Sequence, residues 1–122
     1  MKKTKQITAT NIRYLLAMKK LFEAKKEIHG SELASLLSLR KPTVHSMFES
    51  LIEMRWIQKD QAGVVFFTES GYQTACRYQQ YFHLVLQALI KTFSSSPYLH
   101  SMTYAVLGEL PESELCRHFN IQ

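Results

Sequence analysis

Ser31-Glu32-Leu33-Ala34-Ser35-Leu36-Leu37-Ser38-Leu39-Arg40-Lys41-Pro42-Thr43-Val44 is the segment from which the architecture can be read. Gly30 ahead of it breaks the preceding pattern, Ser31 has the side chain of an N-cap, and Glu32 suits the first turn of a helix. Leu33, Ala34, Leu36 and Leu37 then predict the apolar face of a helix of about two turns. Ser38 to Lys41 is a short connection. Pro42 fits the first turn of a third helix, where its missing N–H would have no partner in any case. Val44, Met47, Phe48 and Leu51 recur at i, i+3, i+4 and i+7, which carries this helix to about Met54 and turns Thr43, His45, Ser46, Glu49, Ser50 and Glu53 outward.

Outward from this pair of helices, Ile12, Leu15, Leu16, Ala17, Met18, Leu21 and Phe22 predict an amphipathic first helix over Thr8 to Ala24. On the other side, Trp56-Ile57-Gln58-Lys59 and Val64-Val65-Phe66-Phe67 are β-prone and flank Asp60-Gln61-Ala62-Gly63, a loop of hairpin length. Three helices and a hairpin make a winged helix-turn-helix. Thr68 can cap a long helix running from about Ser70 to Phe93, where Ser94-Ser95-Ser96-Pro97 stops it. Its stripe of Ala75, Tyr78, Phe82, Val85, Leu86, Leu89 and Phe93 is longer than a small three-helix core can cover, which implies a partner chain. Tyr98 to Leu107 and Glu112 to Phe119 read as two short closing helices. The expectation is a mainly α fold, with a winged helix-turn-helix over 1–70 and a helical dimerisation region over 71–122.

Composition narrows the possibilities. In 122 residues, 46% hydrophobic and 20% charged, 13 are Phe or Tyr, and only four are Gly and three Pro. That aromatic content repays ordering, so a disordered chain is excluded. The apolar run 84–91 is interrupted by Gln87 and Lys91, short of the roughly 20 residues of a membrane span. Met1-Lys2-Lys3-Thr4-Lys5 leads into polar Gln6 to Arg13 rather than a signal-peptide core, so a cytoplasmic location is expected. Cys76 and Cys116 form neither a CxxC nor a zinc spacing and read as reduced thiols. The net charge of +5 is concentrated in residues 1–30, where eight Lys and Arg meet only Glu23 and Glu27. Such a region suits nucleic-acid phosphates or anionic lipid, although a solvated helix face and tail is the more frequent reason for a charge run.

In a helix-turn-helix a short helix crosses the DNA backbone and the N-terminal residues of the next enter the major groove. Thr43, His45 and Ser46 are polar side chains able to reach base edges or phosphate oxygens there, and Arg40 and Lys41 would neutralise phosphates. The same residues also serve to cap and solubilise a helix, and winged helices act as protein-interaction modules. Nothing points to an enzyme: there is no glycine-rich phosphate loop, no paired carboxylates outside helix faces, and no nucleophile with an evident base.

The 31–44 segment resembles the S-E-L-A-x-x-L-x-V-x-x-P-T-V signature of the metal-dependent repressors, the diphtheria-toxin-repressor and manganese-transport-regulator family. The likeness extends to Tyr14-Leu15, to Gly63-Val64, and to Thr68-Glu69-Ser70-Gly71, which is similar to that family's L-T-x-x-G turn. It covers most of residues 8 to 95. Arg55 departs from the usual Gly before the strand, and Phe66-Phe67 from a single apolar residue. The resemblance implies a homodimeric transcription regulator on palindromic double-stranded DNA, with Arg40, Lys41, Pro42, Thr43, His45 and Ser46 in the DNA-contacting turn.

The family's metal ligands are a separate matter. The positions that the resemblance assigns to them hold Arg13, Leu16, Phe82 and the Tyr104 to Gly108 stretch, with His83 next to Phe82 but about 100° around the helix. A divalent ion requires converging deprotonated donors, and a cation at the first position repels it. No metal and no cofactor are therefore expected, and Arg13 either supplies a fixed positive charge there, paired with a carboxylate such as Glu109 or with helix C-terminal carbonyls, or lays its stem along the helix and leaves its head in water. His83, His100, Cys116 and His118 are the residues from which a different metal site would have to be built. A small ligand or thiol oxidation at Cys76 or Cys116 is the alternative input signal.

Overall fold

The computed structural model describes residues 7–120, so Lys2, Lys3 and Lys5 of the basic start lie outside the described residues. In chain order the elements are α1 (Ala9–Lys25), α2 (Gly30–Leu37), α3 (Lys41–Glu53), β1 (Ile57–Lys59), β2 (Val65–Phe67), α4 (Glu69–Phe93), α5 (Leu99–Glu109) and α6 (Glu112–Phe119). This is a mainly α winged helix-turn-helix followed by a helical region, as the sequence predicts. The chain divides into two compact units.

The first unit, Tyr14–Arg77, holds most of α1, then α2, α3, the hairpin and the start of α4. Leu15, Met18, Ile28, Leu33, Leu51, Ile57 and Val65 form its dry centre, joined by Val44 and Phe48 from α3. β1 and β2 pair antiparallel with Ile57 opposite Phe67 and Lys59 opposite Val65. Asp60 shapes the loop between them by accepting hydrogen bonds from the Ala62 and Val64 amides at 2.9 Å. Gly63 stands there at φ +85°, which only glycine adopts without steric cost.

A one-residue third strand escapes the sequence pattern. Ile28 donates to the Val65 carbonyl at 2.7 Å and accepts from the Val65 amide at 3.0 Å. Held there, the chain turns into α2 at once, so His29, extended at φ −104°, is the N-cap and Ser31 is not. The capping role expected of Ser31 is thereby corrected. Leu36, expected on the apolar face of α2, is 44% exposed, because Leu33 and Ala34 fill the contact.

The hairpin is tied to α4 through one threonine. The Thr68 amide donates to the Trp56 carbonyl at 3.0 Å, its hydroxyl donates to the Arg55 carbonyl at 2.7 Å, and Oγ1 accepts from the Gly71 amide at 3.0 Å. Gly71 lies so close to the Trp56 backbone that a Cβ would fall 1.8 Å from its carbonyl oxygen. The Thr68 and Gly71 of the L-T-x-x-G-like turn thus have separate physical reasons, a cap and a close approach. Arg55 sits at φ +63°, the left-handed region where glycine is the easier residue.

The second unit comprises α1 up to Arg13 together with Tyr78 and the residues after it. Ile12, Tyr78, Tyr81, Val85, Leu107 and Leu115 are buried in it, with Phe82 8% exposed. Part of the α4 stripe read as lacking cover is therefore covered within the chain, His100 and Tyr104 of α5 lying against Phe82; Leu86 and Leu89 are half-buried and Phe93 is 45% exposed. Tyr81 donates to Glu112 at 2.6 Å and meets Cys116 Sγ at 3.2 Å; burial, and after it the Cys116 and Glu112 contacts, raises the Tyr81 hydroxyl pKa. Among the described residues, no helix is long and apolar enough to cross a membrane.

Candidate nucleic-acid interface

α3 is entered through an extended Arg40 at φ −81°, ψ 150°, with Pro42 in its first turn. The turn before it is made by Ser38, left-handed at φ 56°, whose amide reaches back to α2. Val44, Phe48 and Leu51 bury one face of α3, so the opposite face presents Arg40, Lys41, Pro42, Thr43, His45 and Ser46, all exposed. These six sequence-nominated residues therefore lie together at one helix start. His45 and Glu49 approach to 3.6 Å, both 63% exposed, which is too open to fix either side chain strongly.

Beside this turn runs a groove of about 280 Å³, lined by Gly30 and Ser31 of α2, Lys41, Val44, His45 and Phe48 of α3, and Lys59 and Gly63 of the hairpin. Lys59 is the residue that sequence reasoning missed. Nothing local distinguishes it from any strand lysine; the pairing of β1 with β2 and the docking of the hairpin beside α3 bring it to the groove. With Lys41 it gives the groove two cations, and the start of α2 adds the positive end of a helix dipole. The groove thus joins two cations to the polar Ser31 and His45 and the apolar Val44 and Phe48.

The positive charge of α1 is used differently. Lys19 pairs with Glu23 at 2.9 Å, Lys25 pairs with Glu32, and Lys26 lies over the Phe22 ring at 5.7 Å. These partners hold the Glu23 and Glu32 carboxyls below the usual carboxylate range: the Tyr72 hydrogen bond and then Lys19 for Glu23, Lys25 for Glu32. Much of the basic excess on α1 is thus spent within the chain, and the α3 groove carries the freer charge.

The residues present do not fit a divalent metal at the positions named by the resemblance. Arg13, Phe82 and Tyr104 do come together, but as a stack: the Arg13 guanidinium lies 4.2 Å from the Tyr104 ring centre, and Tyr104 lies 4.9 Å from Phe82. Leu16, Leu107 and Gly108 bring no side-chain donor. Of the other residues considered for a metal, His100 packs on Phe82, His118 on Phe119, and Cys116 meets Tyr81. Among the described residues no three His, Cys, Asp or Glu side chains gather as an ion would require.

Fold and groove together define a winged helix-turn-helix with an accessible second helix. Solved structures similar to the chain include the manganese regulator SloR, at 17% identity and TM-score 0.73, over 97% of this chain and 56% of that one. IdeR of T. acidophilum matches at 16% identity and TM-score 0.64, over 99% and 56%. The hypothetical protein SSo2273 from Sulfolobus solfataricus matches at 18% identity and TM-score 0.70, over 93% and 87%. The chain therefore spans just over half the length of IdeR and SloR, and at these identities the likeness is one of fold. No protein-family model and no curated protein sequence matches it.

Proposed function

We propose that the chain is a DNA-binding transcriptional regulator that acts in the cytoplasm as a homodimer on a palindromic operator, without activation by a divalent metal. The observation that carries this reading is the exposed start of α3, with Thr43, His45 and Ser46 at its centre and Arg40, Lys41 and Lys59 around it. In this reading the three cations seat phosphates and fix register, while Thr43, His45 and Ser46 read base edges. The likeness in fold to IdeR and to the manganese regulator SloR supports the class.

The dimer is supported by an apolar groove that the chain leaves open. About 350 Å³ in volume, it is lined by Val85, Ala88 and Leu89 of α4, Val106 and Leu110 near the end of α5, and Leu115 and Phe119 of α6, with Glu114 and His118 also contributing. A second copy would cover that surface and put two recognition helices on successive turns of DNA. The test is selection of bound duplexes from a random library. A palindromic consensus is expected, and recovery of unenriched sequence would refute the reading.

A further inference from the structure

We infer that the start of α1 is fastened to α5 by a permanent cation–π rung, Arg13 on Tyr104, at the place where the family resemblance puts a metal ion, so that this seam closes without any ion. The inference deepens the metal-independent regulator proposed above and rests on it only for its consequence in DNA binding.

Two contacts define the seam. A Cβ on Gly108 would fall 2.6 Å from the Ala9 nitrogen, so the two helix backbones all but touch there. Four residues further along α1 and four residues back along α5, the Arg13 guanidinium stands over the Tyr104 ring. A step of four residues is close to one helical turn, so the two contacts are successive rungs of an antiparallel helix pair. The upper rung is braced from behind, since Tyr104 leans on Phe82 of α4 at 4.9 Å and 52°. A guanidinium keeps its charge at every accessible pH and stacks well on an aromatic face, which makes it a fixed cation where an ion would be an exchangeable one. The same charge opposes entry of a second cation. The surface that the Arg13 guanidinium meets is the ring face of Tyr104.

Hydrogen–deuterium exchange of the α1 amides at 13–17 tests this with no DNA present, in chelator and in millimolar manganese chloride. Arg13→Ala and Tyr104→Leu are each expected to speed exchange two- to fivefold, the worth of an exposed cation–π contact. The double variant should exchange no faster than the faster single one, Tyr104→Phe should match the wild type, and manganese should change nothing. Additive single effects, loss of protection in Tyr104→Phe, or protection by manganese would each overturn the inference. If Arg13→Ala fails to fold, Arg13→Lys takes its place with the same expectation of coupling to Tyr104. A wild-type protein that fails to bind DNA would refute the proposed function while leaving these outcomes in force.

Discussion

Replacing Gly71 by Ala tests the joint between wing and long helix. The new Cβ would stand 1.8 Å from the Trp56 carbonyl oxygen and 2.6 Å from its carbon, both backbone atoms that cannot rotate aside. Relief requires the start of α4 to move off the residues preceding β1, which lengthens the Thr68 amide bond to Trp56 and the Thr68 hydroxyl bond to Arg55. Overpacking of this kind costs about 1–3 kcal/mol, and each weakened hydrogen bond about 1 kcal/mol. Alanine returns about 1 kcal/mol through its better helix propensity. The net loss is about 2–4 kcal/mol, a large share of the ~5–15 kcal/mol typical of a domain. Urea denaturation followed by circular dichroism measures it. Gly63→Ala, at φ +85° but with nothing within 4 Å of the added carbon, is the control, with an expected loss of about 1 kcal/mol. A Gly71→Ala protein within about 0.5 kcal/mol of wild type would refute the argument, because distant surface changes rarely exceed that.

Arg55→Gly should raise stability, by up to about 1 kcal/mol in the same urea assay, since it removes a side chain held at φ +63° at some cost in unfolded-chain entropy. The Tyr72 hydroxyl donates to Glu23 at 2.6 Å and its pKa is pushed up from 10.0 to about 12, chiefly by that carboxylate and then by burial. A raised folded-state pKa contributes stability that is complete below pH 10 and lost as pH climbs toward 12. The same bond lowers the Glu23 pKa, so that carboxylate's contribution is present above its ordinary value of 4.5 and fades in acid. Thermal melts of Tyr72→Phe against wild type should therefore differ most in the neutral range and converge at both ends; a constant gap would exclude the bond as the cause. Leu89→Asp puts a carboxylate in the open apolar groove and should convert dimers to monomers by light scattering at tens of micromolar, with DNA affinity falling in parallel.

The helix-turn-helix was legible because its signals are local. Val44, Met47, Phe48 and Leu51 mark one face of α3 at helical spacing, Pro42 marks its start, and Thr68 caps α4 with its own hydroxyl. Those cues do not depend on the rest of the molecule. The α2 cap was misread at Ser31 because the start of that helix is set by Ile28, pinned to Val65 some 37 residues away, and no local pattern records such a bridge. The α4 stripe illustrates the same boundary. Its periodicity shows that Tyr78, Phe82 and Val85 need cover, and at Phe82 that cover comes from His100 and Tyr104 of α5 in the same chain. For the candidate site, the six residues from Arg40 to Ser46 follow from one helix and its turn, while Lys59 joins them only through strand pairing. Arg13 was singled out by its charge, yet its aromatic partner lies 91 positions on, beyond the reach of spacing arguments.

The central claim is that the start of α3, with Lys59 beside it, binds duplex DNA, and fluorescence anisotropy with a selected duplex across a salt series tests it most directly. Wild-type protein in chelator should bind with an affinity that falls steeply as salt rises, each phosphate contact contributing about 0.9 to the logarithmic slope. Arg40→Ala and Lys59→Ala should weaken binding to every sequence and flatten that slope by about one unit per half-site, while Thr43→Ala and His45→Ala should chiefly relax base preference. Absence of duplex binding at low salt, or binding that is the same in Arg40→Ala and Lys59→Ala as in wild type, would contradict the account.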